Sequence, residues 1–221
     1  MITSSNKEAL ERLKASRTAV VYVHGKNGSP KEKEIYASHF PYSEVFGFDY
    51  KSSTPWEAKE EFSKYFEEIK KTYESVTVIA NSIGAYFTMC SGAGELISKA
   101  FFISPVVDME RLIRNMMEWS GVSEEELKEK KTIHTDFGED LSWEYLTYVR
   151  NNPVKWDVPT EILYGENDNL VSIDTITSFS KEHNFSLTVM KDGEHWFHTE
   201  AELNYLHDWM TNSISKQKER T

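Results

Sequence analysis

Four short segments of this 221-residue chain hold side chains able to do chemistry together. They are Ala80-Asn81-Ser82-Ile83-Gly84, the turn containing Asp168, the run Gly193-Glu194-His195-Trp196-Phe197, and His24-Gly25 followed by Lys26-Asn27-Gly28. A serine hydroxyl is a poor nucleophile until a base takes its proton, and its attack on a carbonyl needs donors waiting for the oxyanion. Ser82 is placed for such attack. The β-branched run at 76–79 reads as a strand and 83–90 as a helix with almost no loop between them. The serine therefore falls on a strained corner with its hydroxyl above the sheet, Gly84 leaves room for that corner, and the Ile83 N–H at the helix start points toward developing negative charge.

The elements that must position these residues follow from periodicity. Short apolar runs alternate with longer amphipathic stretches, which predicts an α/β fold: a mostly parallel central sheet flanked by helices. Strands are expected at 18–24, 45–50, 76–79, 100–105, 160–165 and 186–192, and helices at 5–16, 31–38, 55–73, 83–90, 172–183 and 200–213, with a frayed tail after them. Ser82, Asp168 and His195 each follow a predicted strand, at the carboxyl edge where open α/β sheets build their sites. The interval 106–158 breaks the alternation. It predicts two or three helices, at 108–120, at 123–131 with a capping-box start at Ser123 and Glu126, and at 141–152. The expectation is one domain, 1–221, with a helical cap at about 106–158 inserted between the strands at 100–105 and 160–165.

In these segments the chain resembles the α/β-hydrolase family, whose nucleophile elbow is G-x-S-x-G; here Ala80 takes the first position. The resemblance covers nearly all of the chain outside the cap. It departs at the start, where the family's leading antiparallel strands are absent or replaced by the opening helix, which suggests a compact variant. The resemblance implies a serine hydrolase cleaving a carboxylic ester or thioester through an acyl-enzyme on Ser82. It further implies His195 as general base and then general acid, a role suited to an imidazole, and Asp168 as the acid that fixes its tautomer. The N–H groups of Lys26 and Ile83 would form the oxyanion hole. Asp108 is an alternative acid, because some members of the family carry theirs on the neighbouring strand; Glu166 lies near Asp168, and Asp157 precedes its strand at the wrong end. His198 suits a capping or surface role and His24 a brace for its loop. An aminopeptidase or amidase of the same fold, and a catalytically silent ligand-binding homologue, are the other readings.

Met116, Met117, Trp119, Phe137, Trp143, Tyr145 and Tyr148 in the cap are expected mainly to glue it down, a subset lining an acyl or alcohol pocket. There is no H-E-x-x-H pair and no cysteine cluster, so no metal or cofactor is expected. A net charge of −11 repels phosphate backbones and anionic lipids, which argues against nucleic acid, and the resemblance implies a small-molecule, ester-like substrate. The first sixteen residues carry charge at every turn, and no run is long and apolar enough for a membrane span. Cys90 is the only cysteine, so no intrachain disulfide can form and a reducing, cytoplasmic setting is expected. The oligomeric state is left open.

Overall fold

A computed structural model describes residues 12–13 and 17–218. Its strands are β1 (Thr18–Val23), β2 (Glu44–Phe48), β3 (Ser75–Asn81), β4 (Lys99–Ile103), β5 (Thr132–His134), β6 (Asp140–Ser142), β7 (Thr160–Gly165) and β8 (Ser186–Met190). Its α-helices are α1 (Glu34–Ala37), α2 (Pro55–Thr72), α3 (Ile83–Cys90), α4 (Met109–Trp119), α5 (Glu124–Lys130), α6 (Trp143–Asn151), α7 (Ile173–Glu182) and α8 (Glu200–Lys218). The helix expected at 31–38 is a 3-10 turn, Pro30–Lys33, running into the short α1. Apart from residues 12 and 13, which are helical, the opening helix expected at 5–16 lies outside the described residues, as does the end of the tail. The last helix runs on to Lys218, past the expected end at 213.

Six strands pair in the order β2-β1-β3-β4-β7-β8, every pair parallel. A central strand covered by helices on both faces must be apolar throughout, which is why Val20, Val21, Tyr22 and Val23 run without a polar break. Alternate side chains feed opposite cores. Val21 and Val23 join Phe62 and Phe66 of α2 and Phe87 of α3 on one face. Val20 and Tyr22 join Tyr36 of α1 and Leu206, Trp209 and Met210 of α8 on the other. Each fully buried phenylalanine contributes about 1.5–3 kcal/mol of hydrophobic stabilisation. The chain leaves β1 for β2 on one side and returns to β3 on the other, so a topological switch point opens between the carboxyl ends of β1 and β3. Ser82 and His24-Gly25 stand at that point.

The segment between β4 and β7 holds the three expected helices, and also an antiparallel hairpin of β5 and β6. That hairpin pairs Ile133 with Leu141 and closes through Thr135, whose N–H donates to the Glu139 carbonyl at 3.2 Å. Its strands have three residues each, too few for alternation to stand out in the sequence. Arg150 joins the helices, donating to Glu110 at 2.9 Å and to Glu124 at 2.7 Å. Ile113, Met117, Leu127, Leu141 and Leu146 of this segment share the larger apolar core. Trp56 at the start of α2 meets the rings of Tyr145 and Tyr148 at 5.7 and 5.1 Å, and Glu139 pairs with Lys26. Those contacts set the segment on the carboxyl edge of the sheet, over the switch point. Among the described residues no helix is long and apolar enough to cross a membrane.

Candidate active site

Ser82 has φ 49° and ψ −119°, a backbone conformation that costs a non-glycine residue about 1–3 kcal/mol. Its neighbours impose it. The Ser82 N–H donates to the Ile103 carbonyl at 3.0 Å, and the Ser82 carbonyl accepts from Ala85 and Val106 N–H groups, both at 3.2 Å. Ala80 fits the first elbow position because it is wholly buried within β3, between Val23 and Phe102 of the flanking strands. At the last elbow position any side chain is excluded: a Cβ on Gly84 would lie 2.4 Å from the His24 carbonyl oxygen. The elbow and the end of β1 are thus in direct contact, and a Cβ on Gly25 would lie 3.3 Å from the Ser82 Cβ.

Asp168 follows β7 in a turn closed by its own N–H on the Gly165 carbonyl at 3.0 Å. Its Oδ1 accepts from the Leu170 and Val171 N–H groups at 2.8 and 3.0 Å, which leaves Oδ2 free to face His195. The histidine loop is seated on the same strand end. A Cβ on Gly165 would lie 2.3 Å from the Glu194 carbonyl oxygen, and the Asn167 N–H donates to the Gly193 carbonyl at 2.8 Å. His195 Nδ1 then lies 2.6 Å from Asp168 Oδ2, and Nε2 lies 2.8 Å from Ser82 Oγ. The Asp168 side chain is fully enclosed and that of His195 is 14% exposed, so the chain of hydrogen bonds runs from a dry carboxylate to an accessible hydroxyl.

The other candidates point elsewhere. Asp108 caps α4, accepting from the Arg111 N–H at 2.9 Å. Glu166 accepts from the Asp192 N–H at 3.1 Å, and Asp157 is exposed ahead of β7. His198 Nδ1 donates to the Trp196 carbonyl at 2.7 Å, its ring stacked on Trp196. His24 Nδ1 donates to the Gly25 carbonyl at 2.8 Å while its ring stacks on Tyr50, whose hydroxyl donates to the His24 carbonyl at 2.9 Å. Ile83 opens α3, where first-turn N–H groups have no partner within the helix. Lys26 is exposed, with its ammonium on Glu139 of the hairpin.

Several supporting residues carry no motif in the sequence. Tyr50 braces the loop after β1, and Asn81 next to Ser82 donates to the Tyr22 hydroxyl at 3.2 Å. That hydroxyl donates in turn to Glu32 at 2.5 Å. Burial, with the neighbouring Tyr36 and Glu32, raises the Tyr22 phenol far above its ordinary range, so it remains a donor. Burial likewise pushes the Cys90 thiol up to about 12, away from thiolate chemistry. Among the described residues, Glu194, His198 and Glu202 bring possible metal-ligand atoms within 4.8 Å of one another. Both oxygens of Glu202, however, already accept hydrogen bonds from the protein.

A cavity of about 600 Å³ is lined by Met117 and mostly charged residues of α4, and another of about 350 Å³ by Tyr86, Val107, Val149 and Phe179 among others. Of the seven apolar residues expected over the site, Met117 alone lines either. Trp119 and Phe137 are exposed and meet edge to face, while Tyr145 and Tyr148 pack on Trp56. Packing against α2 thus takes up Tyr145 and Tyr148.

No protein-family model matches the chain, and no curated protein matches it by sequence. Solved structures do. Est1E from Butyrivibrio proteoclasticus, in a form with ferulic acid bound, is similar with a TM-score of 0.71 at 17% identity, covering 91% of this chain and 90% of that one. Alpha/beta hydrolase domain-containing protein 10 from mouse aligns with a TM-score of 0.67 at 12% identity over 90% of each chain. An esterase from Pyrococcus furiosus aligns with a TM-score of 0.59 at 17% identity, over 93% of this chain and 83% of that one. With its parallel sheet, its elbow at the switch point and these neighbours, the chain has the α/β-hydrolase fold.

Proposed function

We propose that this protein is a serine hydrolase that cleaves a small carboxylic ester or thioester through an acyl-enzyme on Ser82. The observation that carries the reading is the continuous contact from Asp168 Oδ2 through the His195 ring to Ser82 Oγ, at 2.6 and 2.8 Å. As Ser82 Oγ bonds to the substrate carbonyl carbon, its proton passes to His195 Nε2, and the enclosed Asp168 carboxylate holds the ring by Nδ1–H and stabilises its cationic form. The new oxyanion accepts from the N–H groups of Ile83 and Lys26. Collapse breaks the bond to the alcohol or thiol, which leaves with the proton from Nε2. Water then attacks the acyl carbon while giving a proton to Nε2, and a second collapse returns that proton to Ser82 and frees the acid. Ester chemistry is favoured over amide chemistry by the neighbour from Pyrococcus furiosus that is named as an esterase, and by Est1E, which holds an acid, ferulic acid. The lone Cys90 suits a reducing setting such as the cytoplasm.

A fluorophosphonate probe should label the wild-type protein and not S82A, and p-nitrophenyl esters of graded acyl length should be hydrolysed by the first only. Labelling that survives S82A would refute the assignment. Labelling with turnover of amides but not esters would redirect it to an amidase.

A further inference from the structure

The Glu202 carboxylate, in the first turn of α8, is 5% exposed. Its Oε1 accepts from the Glu194 N–H at 2.9 Å. Its Oε2 accepts from the His198 N–H at 3.1 Å, the Thr199 N–H at 2.9 Å and the Thr199 hydroxyl at 2.8 Å. One side chain therefore grips the backbone immediately before His195 and again just after it. Part of this is a capping box, since the Glu202 N–H returns a hydrogen bond to the Thr199 hydroxyl at 3.3 Å. The bond to Glu194 is outside the box. It reaches across the histidine loop to the residue before His195.

Burial by itself would raise the carboxyl, but the donors at Glu194, Thr199 and His198 outweigh it and hold Glu202 down to about 2. The anion is then present at any working pH. Four donors also saturate it, which sets this carboxylate apart from a metal ligand awaiting an ion, although Glu194 and His198 stand near it.

We propose that Glu202 is a positioning residue for His195, clamping both stems of its loop so that Nε2 stays within hydrogen-bonding distance of Ser82. The inference rests on the serine-hydrolase reading. Replacing Glu202 by Gln removes the charge and leaves one acceptor oxygen, so an N–H group of the loop on one side of His195 faces an amide NH₂ and lets go.

The test is the second-order rate of Ser82 labelling by a fluorophosphonate, in wild type and E202Q, well below both melting temperatures. A displacement of about 1 Å at a catalytic group costs about 10²-fold, so a 10- to 100-fold slower reaction is expected. With p-nitrophenyl acetate the loss should fall on kcat, with KM changed by less than about twofold, because no ester-binding contact is removed. E202D, which keeps the charge on a shorter arm, should label faster than E202Q and slower than wild type. If E202Q does not fold by circular dichroism, E202D decides alone. A purely structural role would lower the melting temperature and leave labelling at the wild-type rate, and that result in the folded variant overturns the proposal. Loss of wild-type labelling after dialysis against EDTA would also overturn it, by making the carboxylate a metal ligand. Failure of wild type to label at all would overturn the hydrolase reading and this inference with it; equal rates in wild type and E202Q would overturn this inference only.

Discussion

A methyl group added at Gly84 measures how closely the elbow and the strand before it depend on one another. The Cβ would lie 2.4 Å from the His24 carbonyl oxygen, 2.9 Å from that of Val23 and 3.0 Å from Val23 Cγ1. Real Cβ atoms essentially never approach within 3.0 Å, so something must give by 0.6 Å, the difference between 3.0 and 2.4 Å. The strand cannot yield cheaply. Val23 is paired with Phe48 on one side and Ala80 on the other, and the His24 carbonyl is held by Tyr50. The start of α3 must lift instead, taking Ser82 away from the loop at Gly25. Overpacking of this kind costs about 3 kcal/mol, at the upper end of its usual range. Alanine's better helix propensity returns about 0.5–1 kcal/mol. The net loss of about 2 kcal/mol should lower the melting temperature of G84A by about 4–8 °C. A shift of 0.6 Å at Ser82 should also slow fluorophosphonate labelling about tenfold. G92A is the control, since Gly92 sits at φ 78° with nothing within 4 Å of its Cβ. It should cost about 1–2 kcal/mol through its left-handed backbone alone and leave the labelling rate intact. If G84A labels like wild type, the elbow does not lean on the end of β1 in the way described.

Three further outcomes are expected. S82G should abolish labelling yet raise the melting temperature by about 2–4 °C, because relief of the φ 49° corner is worth about 1 kcal/mol; a lower melting temperature would show that the corner is unstrained. D168N keeps an acceptor for the Leu170 and Val171 N–H groups but presents NH₂ to His195 Nδ1, forcing the wrong tautomer. It should fold normally by circular dichroism and lose about 10⁴-fold in kcat, as such replacements do in Ser-His-Asp triads; a loss below tenfold would refute the proposed role of Asp168. The third concerns acid stability. Glu202 titrates at about 2 in the fold against an ordinary 4.5, so its stabilisation is complete above about pH 4.5 and fades as pH falls toward 2. The gap in melting temperature between wild type and E202Q should be widest near neutrality and narrow across that window, and a constant gap would refute the sign.

The strands were readable because a β-strand buried on both faces has to be a continuous apolar run, as at Val20–Val23 and Ala100–Ile103. The meeting of Ser82, Asp168 and His195 was readable as an order of strand ends, since parallel strands bring their carboxyl ends to one edge whatever the loops do. Which carboxylate turns toward His195 was not. Asp168 and Asp108 both follow strands, and the difference lies in which backbone N–H groups hold each: Leu170 and Val171 aim Asp168 inward, whereas Arg111 keeps Asp108 on α4. Which of the aromatic residues at 106–158 would pack and which would line a pocket was unreadable for a related reason, because ring type says nothing about whether a neighbouring helix, here α2 with Trp56, has already claimed the face.

Glu202 shows where a spacing motif stops being informative. Among the described residues, four segments share the Ser/Thr-x-x-Glu pattern at a helix start: Ser29–Glu32, Thr54–Glu57, Ser123–Glu126 and Thr199–Glu202. Three complete the reciprocal box. At Ser123 only the serine's half forms, and Glu126 turns to Lys130 at 2.8 Å. The residues four positions after the other three glutamates are Tyr36, Glu61 and Leu206, none of them a cation, so nothing on the next turn competes for those carboxylates. Competition on the next turn thus separates a glutamate that closes its cap from one that does not. An exposed i,i+4 ion pair is worth only about 0.3–0.5 kcal/mol, comparable to one exposed capping hydrogen bond. Replacing Lys130 by Leu should therefore let Glu126 swing back to the Ser123 N–H with a change in melting temperature below about 2 °C, seen directly as slower hydrogen exchange at the Ser123 amide. Unchanged exchange there would mean that Lys130 is not what holds Glu126 away, and the same reasoning would then fail for the freedom of Glu202 to reach Glu194.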